Sequence, residues 1–92
     1  MKLEKALSEY LKWRKNVGAD YISTHEFEHA RDWIKEKYNK VHTVGTIDRE
    51  WRRLRSKGVV EVKSATIPGK REKTWKIIEV YNPERNATLR LR

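Results

Sequence analysis

The sequence contains no cysteine. That removes a disulfide framework, and with it thiolate metal binding and thiol nucleophiles. Glutamine is missing too, and the chain is dense in Lys, Arg and Glu, a profile that fits a protein made for heat. No stretch approaches the roughly 20 apolar residues of a membrane span. The opening MKLEKALSEY carries acids and has no apolar segment of the kind a secretory signal needs. There is no phosphate-binding glycine loop, no dinucleotide-binding glycine pattern and no nucleophile-elbow serine. Ser8, Ser23, Ser56 and Ser64 have no neighbouring His–acid pattern to activate them. At 92 residues the chain is too short for a doubly wound sheet or a barrel enzyme. The expectation is one small domain that is not an enzyme and needs no cofactor.

What the chain has in excess is positive charge. It holds 22 Lys and Arg against 13 Asp and Glu, a net of +9. The excess is uneven: residues 1–38 hold 8 basic and 7 acidic side chains, and residues 39–92 hold 14 and 6. The first part has the mixed charge of a solvated scaffold, while the second carries nearly the whole positive field. Such asymmetry points to a polyanion, most often nucleic acid. Nine aromatics, four of them Trp, supply enough buried area for a small core.

The pattern of apolar residues predicts the elements. Lys2 to Val17 reads as an amphipathic helix with Leu3, Ala6, Leu7, Tyr10 and Val17 on one face, Leu11 and Trp13 at its flanks, and Gly18 as its stop. Tyr21 and Ile22 form an extended link or a short strand. Ser23 and Glu26 have the spacing of a capping box, which opens a second helix running to about Tyr38. Phe27, Ala30, Trp33, Ile34 and Tyr38 make its apolar stripe. Thr43 is placed to cap a third helix ending near Lys57, with Gly58 as the stop. Ile47, Glu50, Trp51 and Leu54 share one face of it, and Thr46, Arg49, Arg53 and, at the margin, Arg52 share the other. Arg52 and Arg55 are expected to touch backbone or to pair with Asp48 and Glu50.

Val59 to Ser64 and Thr74 to Tyr81 read as two strands around a turn at Pro68 and Gly69. The tip between them is rich in Lys70, Arg71 and Lys73. Parity in the second strand is broken, because Trp75 and Ile77 point one way and Ile78 and Val80 the other. A bulge or burial on both faces would account for it. Trp33 and Trp51 are expected to pack in the core, Trp75 to cover the sheet or stack on a base, and Trp13 to be half exposed. Residues 83–92 form either a frayed basic tail or a short added strand, set apart from a domain spanning 1–82.

The order of helix, link, helix, turn, helix and hairpin, together with TVGTIDREWRRLRSKGVVEV at residues 43–62, resembles the winged helix-turn-helix superfamily of DNA-binding domains. Thr43, Thr46, Arg49, Arg53, Leu54, Gly58 and Val60 carry the likeness, which covers roughly residues 3–81. The second helix is long for the type, and the chain after Pro83 has no counterpart in the general pattern. The resemblance implies an α+β fold of three helices with a C-terminal two-stranded wing hairpin. It also implies sequence-specific binding of double-stranded DNA through a recognition helix over 43–57 and a basic wing over 65–73. Thr43, Gly45, Thr46, Arg49, Arg52, Arg53, Lys70, Arg71 and Lys73 are then the DNA-contacting residues. A small transcriptional regulator or an accessory factor of a mobile element fits this. Such a protein would lie in the cytoplasm at the nucleoid, with no membrane partner, and a homodimer would double the site.

Two other readings compete. A winged helix also serves as a protein-interaction module, its basic face taking an acidic partner. His25-Glu26-Phe27-Glu28-His29 matches the HExxH pattern of zinc hydrolases, in which two His on one helical face bind the metal and the Glu acts as base. Against a metal site, Glu26 has a structural use in the capping box and the only further His is His42.

Overall fold

A computed structural model describes residues 2–65, 68–69 and 73–81. Apolar residues at helical spacing build α1 (Leu3–Asn16), which buries Ala6, Leu7, Tyr10 and Leu11. Leu11, expected at the flank, lies wholly inside, because α1 packs against both other helices and the sheet and so buries more than one stripe. Val17 departs the other way. The helix has ended before it, and its side chain is 57% exposed.

Arg14 holds the turn out of α1. Its Nε donates to the Ala19 carbonyl at 3.0 Å and its Nη2 to the Tyr21 carbonyl at 2.6 Å. Its Nη1 donates to the Tyr10 hydroxyl at 3.1 Å, and Glu26 pairs with it at 3.3 Å. Burial alone would lower its pKa, but Tyr10 and Glu26 outweigh burial and hold it above arginine's ordinary value.

After β1 (Tyr21–Ser23) the chain makes one 3-10 turn, Thr24–Glu26, before α2 (Phe27–Tyr38). Half of the capping box forms, since the Ser23 amide donates to Glu26 Oε2 at 2.8 Å. The α-helix itself starts later than the box implies, because the first turn is wound tightly. Phe27, Ala30 and Ile34 are buried. Trp33 and Tyr38 pack on the core from outside and are only half-buried. Asn39, in the left-handed region at φ 54°, ends the helix.

The third helix, α3 (Val44–Lys57), has the boundaries its sequence signals indicate. Thr43 Oγ1 accepts from the Thr46 amide at 3.1 Å, and Gly58 closes the far end at φ 75°. Ile47, Trp51 and Leu54 are buried. Trp51 sits at the centre of the core, edge-on to Phe27 of α2 at 5.9 Å between ring centres.

Two longer strands follow, β2 (Val60–Ala65) and β3 (Thr74–Val80), with Gly69 at φ 84° after Pro68. They are not a lone hairpin. The sheet has three antiparallel strands in the order β1-β3-β2, which corrects the expectation of two. Tyr21, Ile22 and Ser23 pair with Lys76, Trp75 and Thr74, and the Ile77 amide donates to the Asp20 carbonyl at 2.7 Å. Burial of Ile22 against the helices draws β1 into the sheet. A bulge explains the broken parity of β3: Glu61 pairs with Glu79 and Val62 with Ile77, which leaves Ile78 as an extra, exposed residue. Trp75, Ile77 and Val80 thus all face the core.

The described residues form a small α+β domain of three helices and a three-stranded antiparallel sheet, with one core between them. Among the described residues no helix is long and apolar enough to cross a membrane. Lys70, Arg71 and the tail over 83–92 lie outside the described residues.

Candidate nucleic-acid interface

The two faces of α3 separate cleanly. Successive residues turn by roughly 100° about the axis, which sets Gly45, Arg49, Arg52, Arg53 and Ser56 opposite Ile47, Trp51 and Leu54. All five are exposed. Arg52 leans back one turn onto Asp48 at 2.8 Å, as its spacing suggests, while remaining 71% exposed. Arg49 and Arg53 have no hydrogen bond or ion pair to any described residue. They are charges held on a helix with no described residue to neutralise them.

The start of α3 is arranged for an anion as well. Its first turn contains no acidic residue to oppose the positive end of the helix dipole. Thr43 and Thr46 are engaged with each other, their hydroxyls 2.9 Å apart, so they cap the helix while remaining near the surface. At Gly45 an added Cβ would meet nothing nearer than Thr43 Oγ1 at 3.9 Å. Thr43, Gly45, Thr46, Arg49, Arg52 and Arg53 therefore lie on one helix within three turns. Lys73, next to the start of β3 at the loop end of the hairpin, is exposed.

Arg55 departs from its expected pairing with Asp48 or Glu50. Its guanidinium carbon lies 4.7 Å from the centre of the Trp75 ring and 5.3 Å from that of Trp51. Burial holds its pKa below arginine's ordinary range. The charge of Arg52 pushes the same way, and Asp48 only partly opposes them. Lys73 Nζ lies 5.4 Å from the centre of the same Trp75 ring, so one indole joins the third helix to the start of β3. Trp75 itself is buried, which removes it as a platform for a stacked base.

Reasoning from sequence also passed over Lys63 and Lys76. They face each other across β2 and β3, a like-charged pair that is destabilising when unscreened. Lys76 is partly accommodated over the Tyr21 ring, 5.8 Å from its centre. The signal was the register, which two separate strands do not reveal.

The HExxH segment is built for other work. Glu26 accepts from the Ser23 amide and pairs with Arg14. His25 lies in the 3-10 turn and His29 in α2, so an even α-helical face does not carry both. Among the described residues no three His, Asp or Glu side chains come together in a metal-holding group. Compared with known proteins, the chain matches no family model, no curated protein and no solved structure.

Proposed function

We propose that this chain is a winged helix-turn-helix domain that binds double-stranded DNA sequence-specifically, with α3 as the recognition helix and the β2–β3 hairpin as the wing. The observation that carries this reading is the outward face of α3, where Arg49 and Arg53 stand exposed beside Arg52 with no counter-ion among the described residues. A helix about 10–12 Å across fits the major groove, about 12 Å wide. Four residues along a helix advance about 6 Å, close to two base-pair steps. Arg49 and Arg53 thus have the spacing to fork onto guanines two steps apart, or onto one guanine and a phosphate. The helix N-terminus with Thr43 and Thr46 supplies donors to a backbone phosphate. The wing supplies Lys73, and by sequence Lys70 and Arg71. The protein acts by binding alone, as a small transcriptional regulator or mobile-element accessory factor in the cytoplasm at the nucleoid. Pairing of two copies would double its site.

Gel shifts on a duplex selected from a random library test this. Arg49→Ala with Arg53→Ala should weaken binding roughly 10- to 100-fold per arginine. Thermal melting should be unchanged, since neither side chain has a partner among the described residues. A double variant that binds as tightly as the parent overturns the reading.

A further inference from the structure

Arg55 is a half-buried cation with no carboxylate partner among the described residues, and its Nε is buried without any hydrogen-bond acceptor. A guanidinium so placed has lost water and gained no counter-ion, a combination that costs stability unless something outside the fold makes it good. Two indoles take up part of the deficit through their faces. Asp48, the carboxylate whose charge acts on Arg55, is already held by Arg52. Lys73 adds a second positive charge around the same ring. The cluster thus gathers two cations around a buried indole where α3 meets β3, with no anion among the described residues to balance them.

We propose that Arg55, seated on Trp75 beside Lys73, is the seat of a single phosphodiester group of the DNA backbone, where the recognition helix meets the wing. The inference rests on the DNA-binding reading and adds to it a site that reads no base. Trp75 and Trp51 hold the guanidinium in place before DNA arrives, so little side-chain freedom is lost on contact. The outer edge of the guanidinium is left to present its Nη donors, which match a phosphate oxygen pair. Because Lys73 lies over the same ring, an anion in this seat fixes the start of β3 against α3 and places the wing along the backbone. Arg55 therefore positions, whereas Arg49 and Arg53 discriminate.

The test is anisotropy of labelled duplexes, cognate and scrambled, over a salt series with the full chain. Arg55→Met keeps the packing on the indoles and removes the charge. It should make the slope of log K against log salt shallower by about 0.9, the contribution of one phosphate contact. Both sequences should weaken equally, so their ratio is unchanged. Arg55→Lys should keep the parent slope. If Arg55→Met leaves slope and affinity as in the parent while the Arg49/Arg53 double variant loses binding, the seat is wrong and the DNA reading stands.

If the parent binds no duplex, the DNA reading and the backbone seat both fail. A separate measurement follows the Arg55 Nε–H and Trp75 indole resonances on adding inorganic phosphate or a short duplex. Shifts with duplex at far lower concentration than with phosphate support a backbone seat. Equal or stronger response to inorganic phosphate overturns the assignment to DNA, and no response to either overturns the site.

Discussion

Gly45 occupies the first turn of α3 on the outward face, and nothing in the fold requires it. No side chain or backbone atom crowds the place a Cβ would take, and its φ is not in the left-handed region. Gly45→Ala should therefore stabilise the protein by up to about 1 kcal/mol, through lower backbone freedom in the unfolded chain. If the glycine lets the helix approach the sugar-phosphate chain, the same variant should bind duplex more weakly. Melting and titration of this one variant separate the two effects, and a loss of stability would mean the glycine serves the fold. Arg14 shows the opposite case, a residue whose role was not legible in the sequence. It reads as one more surface cation on a charged helix. Two of its partners are the carbonyls of Ala19 and Tyr21, and main-chain acceptors leave no trace in the residue pattern. The ion pair expected as one alternative for Arg55 fails for a related reason: charge counting offered it Asp48 or Glu50, while the packing offered it the faces of Trp51 and Trp75.

Among the elements, the helices were the most legible, because each carries its own period and its own signals at the ends. Thr43 and Gly58 bound α3 where the residues say they should. Strand β1 was harder. Three residues are too few to show alternation, and its pairing with Thr74, Trp75 and Lys76 depends on a segment more than fifty residues away. The irregularity of β3 was visible in the sequence, but its cause lies in the count against β2. That count makes a sharp prediction for two adjacent isoleucines. Ile77→Ala should cost about 2–4 kcal/mol, since its side chain is fully inside the core. Ile78→Ala, at the bulge and 39% exposed, should change stability by no more than about 0.5 kcal/mol. Denaturant unfolding of the pair measures both, and equal costs would mean that the bulge lies elsewhere.

For the molecule as a whole, charge and fold divide the labour. The surplus of basic residues belongs to the chain after α2, while α1 and α2 present a nearly neutral exterior. If about six of those cations meet phosphates, log K for duplex should fall with log salt at a slope of roughly −5. Binding that is flat across salt would point to a different partner. The strand order has a further consequence for how the molecule is made. The middle strand of the sheet is the last of the three in sequence, so β1 and β2 have nothing to bridge them until residues 74–80 exist. A ribosome therefore releases α1, α2 and α3 before the strip that ties residues 21–23 to residues 60–65 has been synthesised. Closure of the domain must wait for long-range pairing, which is slow relative to helix formation. During that interval the arginines of the third helix are displayed on an unfinished scaffold. Their rigid spacing, and any selectivity that depends on it, arrives only with the final strand.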